Sequence, residues 1–278
     1  MSNLAPHTTL VFHNPELKIH VFHSPSDSAG EAVNSLILET SASLVLFDLP
    51  VLYPVAEQIA SFSKNLNKPI RKIVISHGHP DHWFGLWCFR EQSSFASSGT
   101  ISEISQFGEA YLAFKRTEMK PEELPPGVAV PKTALDSSDE VIDGVTFSWK
   151  RHLRVEYEDG LSLVLPQHRV LVAADLIYNK VHLYLGQKDE KGLTGRNWLS
   201  VLKSLSCESY DTIIPGHGQI GDERLIAECI DYIEKIMPLL EREDADVKLY
   251  MAETKRLYPN YRMEELIGLT AYFAFGKS

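Results

Sequence analysis

Short runs of β-branched and aliphatic residues punctuate the first half of the chain: Ile19 to Phe22, Ser35 to Leu38, Leu44 to Phe47 and Lys72 to Ile75. Runs of this length, bounded by polar residues, predict strands. Between the last two, Leu52, Val55, Ile59, Phe62 and Leu66 recur at steps of three and four, the period of a helix with one apolar face. A second group of strands is predicted at Val145 to Val155, Leu161 to Leu165 and Val170 to Ala173, with Asp159-Gly160 as the turn between the first two. Trp198, Val201, Leu202 and Leu205 mark another helix. The C-terminal third is mostly helical: Leu225, Ile226, Cys229, Ile230, Ile233 and Met237 form a continuous core-facing stripe, and Asp222 stands where an N-cap belongs. From about Ser93 to Asp143, Pro121, Pro125, Pro126 and Pro131 break the pattern into short pieces, which reads as a cap insertion over a site. Two strand-rich groups, each followed by helices, suit two sheets covered by helices.

Composition narrows this picture without changing it. In 278 residues, 44% hydrophobic and 23% charged, a large core can form, and a single domain over 1–278 is expected. A net charge of −10 disfavours nucleic acid as a partner, because a phosphate backbone is repelled at long range; a small molecule is the expected substrate. Cys88, Cys207 and Cys229 are far apart and form no CxxC pair, so they read as free thiols. The first residues lack a basic stretch followed by an apolar run. No segment approaches the ~20 apolar residues that span a bilayer. The expectation is a cytoplasmic protein with no membrane partner, with homo-oligomerisation left open.

The chemistry is concentrated directly after the strand at Ile73-Val74-Ile75, in Ser76-His77-Gly78-His79-Pro80-Asp81-His82. A turn there gathers three imidazoles and a carboxylate, the donors that a divalent transition metal selects. One loop cannot surround an ion, so further ligands must come from elsewhere. Two candidates follow apolar runs in the same layout: Asp175 after Val170 to Ala174, and His217 after Thr212-Ile213-Ile214-Pro215-Gly216. There is no GxSxG elbow and no GxxxxGK[ST] phosphate loop, which argues against serine-hydrolase and P-loop chemistry.

HGHPDHWFG, then VLVAAD, then IIPGHG, in this order and at these separations, resembles the metallo-β-lactamase superfamily over most of the chain, with the subfamily unassigned. The resemblance implies an αββα sandwich: two mixed β-sheets flanked by helices, with the site at one edge. It implies that His77 and His79 bind a first metal, that Asp81, His82 and His217 bind a second, and that Asp175 bridges them. Asp48, ending Leu44 to Phe47, matches an early strand-end aspartate that supports the ligands from behind. One position departs from the pattern. The first metal's third ligand is usually a histidine, and counting back from Asp175 its place falls on Glu156; His152 stands four residues too early. Glu156 is the favoured ligand, His152 after a register shift is the alternative, Glu158 is a weaker one, and a metal site without any of them stays open.

One or two divalent ions are the implied cofactor, zinc first, with manganese or iron(II) as alternatives. The implied reaction is hydrolysis, a metal-bound hydroxide attacking a carbonyl while Asp81 or Asp175 orients or receives the proton. With two divalent ions, two aspartates and a bridging hydroxide, the histidine-rich set keeps one net positive charge. Glu156 cancels it, which weakens the pull on anionic substrates and the acidification of bound water. Lactone-hydrolysing members of the family carry a tyrosine where Tyr178 stands, and its hydroxyl is assigned a catalytic role as donor to the substrate carbonyl. His182, Tyr184, Trp83, Phe84 and Trp87 are candidate lining of an apolar mouth. The expected substrate is an ester or lactone of a small, uncharged or weakly anionic molecule. β-Lactam or thioester hydrolysis, iron-dependent redox chemistry and non-catalytic metal binding are the rivals.

Overall fold

The computed structural model describes residues 7–25, 32–242 and 244–276. Packing divides the chain into two compact units, Met1–Arg151 with Asp159–Gln167, and His152–Glu158 with His168–Ser278.

In the first unit β1 (His7–His13), β2 (Leu17–His23), β3 (Asn34–Thr40), β4 (Leu44–Phe47), β5 (Ile70–Val74), β6 (Ser94–Ala96) and β7 (Thr133–Ala134) form one sheet in chain order. Neighbours are antiparallel from β1 to β4 and parallel from β4 to β7, so the sheet is mixed. The parallel half brings the ends of β4 and β5 side by side, Phe47 opposite Val74, and this is where Asp48 and Ser76 emerge together. The crossover between them is α1 (Tyr53–Asn65), opened by Pro54 in its first turn and burying Val55, Ala56 and Ile59. After β5 come the short turn α2 (Pro80–Trp83) and the long helix α3 (Ser98–Glu118). The unit also holds the antiparallel pair β8 (Ser138–Ile142) and β9 (Val145–Leu153), and β10 (Asp159–Leu165).

Two expectations are corrected here. The stretch expected to be broken into short pieces contains the 21-residue α3, whose N-terminus is capped by Ser97 Oγ accepting from the Thr100 N–H at 3.1 Å, and the four prolines all follow its end. Asp159-Gly160 does not turn the chain but starts β10. The Asp159 carboxylate is held by Arg151 at 2.7 and 2.8 Å and by the Gly99 N–H at 2.8 Å. The reversal lies just before it, at 154–158, where Arg154 takes a positive φ of 53° and its N–H donates to the Glu158 carbonyl at 2.8 Å.

The second unit is built on β11 (Val170–Asn179), the ribbon of β12 (Lys188–Asp189) and β13 (Gly192–Leu193), and β14 (Thr212–Gly218). β11 pairs in parallel with β14, but the register shifts on both sides of Ala174, which sits at φ 47°. This bulge re-aims Asp175. α4 (Gly195–Leu205), α5 (Arg224–Glu241), α6 (Val247–Leu257) and α7 (Glu265–Phe275) complete the unit. α5 buries Leu225, Ile226, Cys229, Ile233 and Met237 of the stripe its period predicts, and Ile230 is partly exposed. Asp222 acts one residue earlier than a regular N-cap: the helix starts at Arg224, and the Asp222 carboxylate accepts the Arg224 N–H at 3.0 Å. Among the described residues no helix is long and apolar enough to cross a membrane.

Candidate metal centre

The first unit supplies a hydrogen-bonded relay that begins at Asp48. Its backbone takes φ 57°, a left-handed conformation that aspartate tolerates better than most residues. The carboxylate, buried at the end of β4, accepts the Ser76 N–H and hydroxyl, each at 2.7 Å, and bonds His82 Nδ1 at 2.8 Å. Ser76 Oγ, having given its proton to Asp48, is left as an acceptor for His77 Nδ1 at 2.9 Å. Both imidazoles are therefore protonated at Nδ1 and turn the Nε2 lone pair away from the relay, the tautomer that a metal needs. Burial pushes the Asp48 carboxyl up, and the bonds from His82 and Ser76 pull against it.

The turn that follows is equally specified. Pro80 opens α2, the Trp83 indole donates to the Gly78 carbonyl at 2.9 Å, and the Leu49 N–H donates to the His82 carbonyl at 2.8 Å. The rings of His77 and His79 lie 4.6 Å apart and those of His77 and His82 4.2 Å apart, with Asp81 Oδ2 3.4 Å from His82 Nε2.

The second unit gathers its polar groups differently. Asp175 lies inside β11 rather than at its end, as the apolar run suggested, whereas His217 is the penultimate residue of β14, with its Nε2 3.2 Å from Asp175 Oδ2. The bulge and a glycine make this close approach. A Cβ at Gly216 would lie 1.8 Å from Asp175 Oδ1 and 2.8 Å from the Ala174 carbonyl carbon. Tyr178 faces His217 across the pairing, its ring stacked at 5.1 Å, and its hydroxyl lies 2.8 Å from Asp175 Oδ2 and 3.1 Å from Glu156 Oε1. The phenol expected to donate to a substrate carbonyl is thus directed at two carboxylates. Glu156 is 1% exposed. Its loop is pinned from α4: the Asn197 amide donates to the Leu153 and Arg154 carbonyls at 2.8 Å each, and the Thr194 hydroxyl donates to the Val155 carbonyl.

Within the first unit the groups able to hold an ion are His77, His79, Asp81 and His82, and within the second they are Glu156, Asp175 and His217. Six of the seven are buried; His79 is partly exposed. His152, partly exposed, and Glu158, exposed, belong to neither set. Mixed imidazole and carboxylate donors fit a divalent transition metal, and the Nδ1–H tautomers of His77 and His82 agree with that fit.

The aromatic mouth does not hold as expected. Trp83, Phe84, His182 and Tyr184 are buried in the packing, and only Trp87 is partly exposed. Ser76 and Glu103 are residues the sequence reading missed. Ser76 could have been suspected as a hydroxyl immediately preceding a ligand histidine. Glu103, whose carboxylate lies against Gly78, gave no signal.

The profile of the metallo-β-lactamase superfamily matches residues 29–217, and the chain belongs to that superfamily. It is 25% identical over 210 residues, 74% of this chain and 75% of the relative, to a metallo-β-lactamase type 2 of Bacillus sp. (strain 170). It is 26% identical over 197 residues to a linear primary-alkylsulfatase of Pseudomonas sp. (strain ATCC 19151), of whose length the match spans 36%. Among solved structures, a metallo-β-lactamase from Pontibacter korlensis superposes with a TM-score of 0.62 at 18% identity, covering 82% of this chain and 99% of the other. The metallo-β-lactamase FIM-1 from Pseudomonas aeruginosa, in its mono-zinc form, gives 0.60 at 19% identity, covering 84% and 98%. The fold is the α/β metallo-β-lactamase fold, two mixed sheets with helices, as the sequence motifs implied. The protein is a metal-dependent hydrolase of this superfamily.

Proposed function

We propose that the protein hydrolyses an ester or lactone of a small, uncharged molecule. The observation that carries this reading is Glu156, a buried carboxylate in a ligand set where the family pattern has a histidine. The extra negative charge lowers the attraction of the centre for anionic substrates while leaving attack on a neutral carbonyl intact.

Lewis acidity toward a carbonyl oxygen and acidification of water are what divalent ions supply in such a site. The protein's own groups do the rest. Asp48 and Ser76 fix the tautomers of His77 and His82 and so hold these ligands ready without reorganisation. Asp81, next to His82, is the acceptor for a proton released during attack. Tyr178 shares its hydroxyl between Asp175 and Glu156 and aligns them; in this reading it is a positioning residue.

β-Lactam hydrolysis is the second reading, favoured by the name of the Bacillus relative. A panel of chromogenic lactone, thioester and β-lactam substrates, assayed with zinc-, manganese- and iron(II)-loaded protein, separates the two. The expected result is faster turnover of the neutral lactone than of the carboxylate-bearing β-lactam, abolished by chelation and restored by metal. A preference for the β-lactam, or activity that survives exhaustive chelation, overturns the proposal.

A further inference from the structure

We propose that Glu103 is a specificity-determining residue, its carboxylate held over Gly78 to make the metal centre discriminate against anionic ligands. The inference rests on the metal-hydrolase reading above and adds a residue outside the ligand set.

Gly78 separates the two ligands His77 and His79. A Cβ there would lie 2.3 Å from Glu103 Oε2, 2.4 Å from Cδ and 2.7 Å from Oε1, so the whole carboxyl group rests on the glycine face, and a side chain at this position would push it aside. Glu103 reaches this place from the second turn of α3, which is set at its start by the Ser97 cap. Tyr111, two turns further along, donates its hydroxyl to Glu103 Oε1 at 3.2 Å. Burial pushes the Tyr111 phenol up to about 12, and the neighbouring charge and hydrogen bond of Glu103 add to it, so the phenol stays a neutral donor. Glu103 makes no ion pair: among the described residues no lysine or arginine neutralises it, and its bonded partner carries no charge.

A structural role alone does not account for this arrangement. A helix residue that merely caps a packing gap over a glycine is served as well by glutamine or methionine, without bringing a bare negative charge beside two metal ligands. The charge acts on whatever enters. Glu156, standing where the family pattern has a histidine, lowers the charge of such a centre by one, and Glu103 adds a negative charge beside the His77-Gly78-His79 turn. The two together favour a neutral or cationic ligand over an anionic one.

The test reads binding rather than turnover. Cobalt(II)-loaded protein is titrated with mercaptopropionate and with mercaptopropanol, matched thiols that differ in one charge, and each is followed by its thiolate-to-cobalt absorption band. The wild type is expected to bind the alcohol more tightly, with a preference that shrinks as salt is raised. Glu103→Gln should tighten the carboxylate thiol roughly three- to tenfold and leave the alcohol unchanged, the size expected for one charge several ångströms away. Tyr111→Phe keeps the charge and should keep the preference. The proposal is overturned if Glu103→Gln shifts both thiols equally or neither, if it loses cobalt, or if the wild-type preference ignores salt. Failure of the wild type to bind cobalt overturns the metal-hydrolase reading as well; cobalt bound without discrimination overturns this inference alone.

Discussion

The two units build their shares of the ligand set by opposite means. In the first, four ligands come from six consecutive residues, and two of them are oriented by a single buried carboxylate, Asp48, which bonds His82 directly and His77 through Ser76. In the second, Glu156, Asp175 and His217 come from a loop and two strands, and what fixes them is shape: a bulge at Ala174, the missing side chain of Gly216, and the Tyr178 hydroxyl between two carboxylates. A contiguous motif needs polar wiring to choose tautomers, whereas a dispersed one needs close backbone approach to bring its members within reach.

That contrast can be broken most severely at Asp48. Asp48→Ala strands three buried donors at once and should cost about 3–5 kcal/mol of stability, read as a lower urea midpoint, together with loss of bound metal. Gly216→Ala attacks the second unit by volume alone. With a methyl forced against Asp175 and the Ala174 backbone, it should cost about 1–3 kcal/mol and deplete metal, and an unchanged melting curve would show that β11 can simply shift. Tyr178→Phe removes a hydroxyl without changing volume; the expectation is a loss of about 1 kcal/mol and a roughly tenfold weaker metal affinity, measured by chelator competition.

Titration, a graded effect where the substitutions are abrupt, sharpens the comparison. In the second unit burial pushes His182 down to about 4 from an ordinary 6.5, with Lys255 helping and Glu264 opposing. A histidine buried neutral contributes stability that is present above pH 6.5 and lost as pH falls toward 4. In the first unit burial raises Glu39, but the bonds from Lys68 and His20 and the charges of Lys68 and Lys18 outweigh it and hold the carboxyl at about 2 instead of 4.5. Its contribution is full above pH 4.5 and disappears as pH falls toward 2. Hydrogen exchange along an acid series should therefore show the second unit loosening first. Simultaneous loosening, or a stability slope between pH 6.5 and 4 that persists in His182→Gln, would contradict the assignment.

How much of this was readable in the chain depends on what each element buries. β3, β4, β5, α1 and α5 were legible because aliphatic residues dominate what they bury. α3 was not: its buried face is Thr100, Ile104, Gly108 and Leu112, and hydrophobicity cannot see a glycine that packs. Gly108 is there because a Cβ would come within 2.9 Å of Val128 and 3.2 Å of Trp83. The ligands were legible as residue types in a spaced pattern, Glu156 included. The relay through Ser76, the bulge that turns Asp175 and the contact of Glu103 with Gly78 were not, since each depends on backbone geometry that no local pattern encodes.

The Cys229 thiol, buried in α5, both donates to the Tyr178 carbonyl and accepts its N–H, each at 3.4 Å, and burial pushes its pKa up to about 12. Cys207, by contrast, lies exposed on the surface. An alkylating reagent should thus modify Cys207 at once and Cys229 only in molecules whose α5 has lifted from β11. The rate of that second modification is a native stopwatch for breathing of the strand that carries Asp175 and Tyr178.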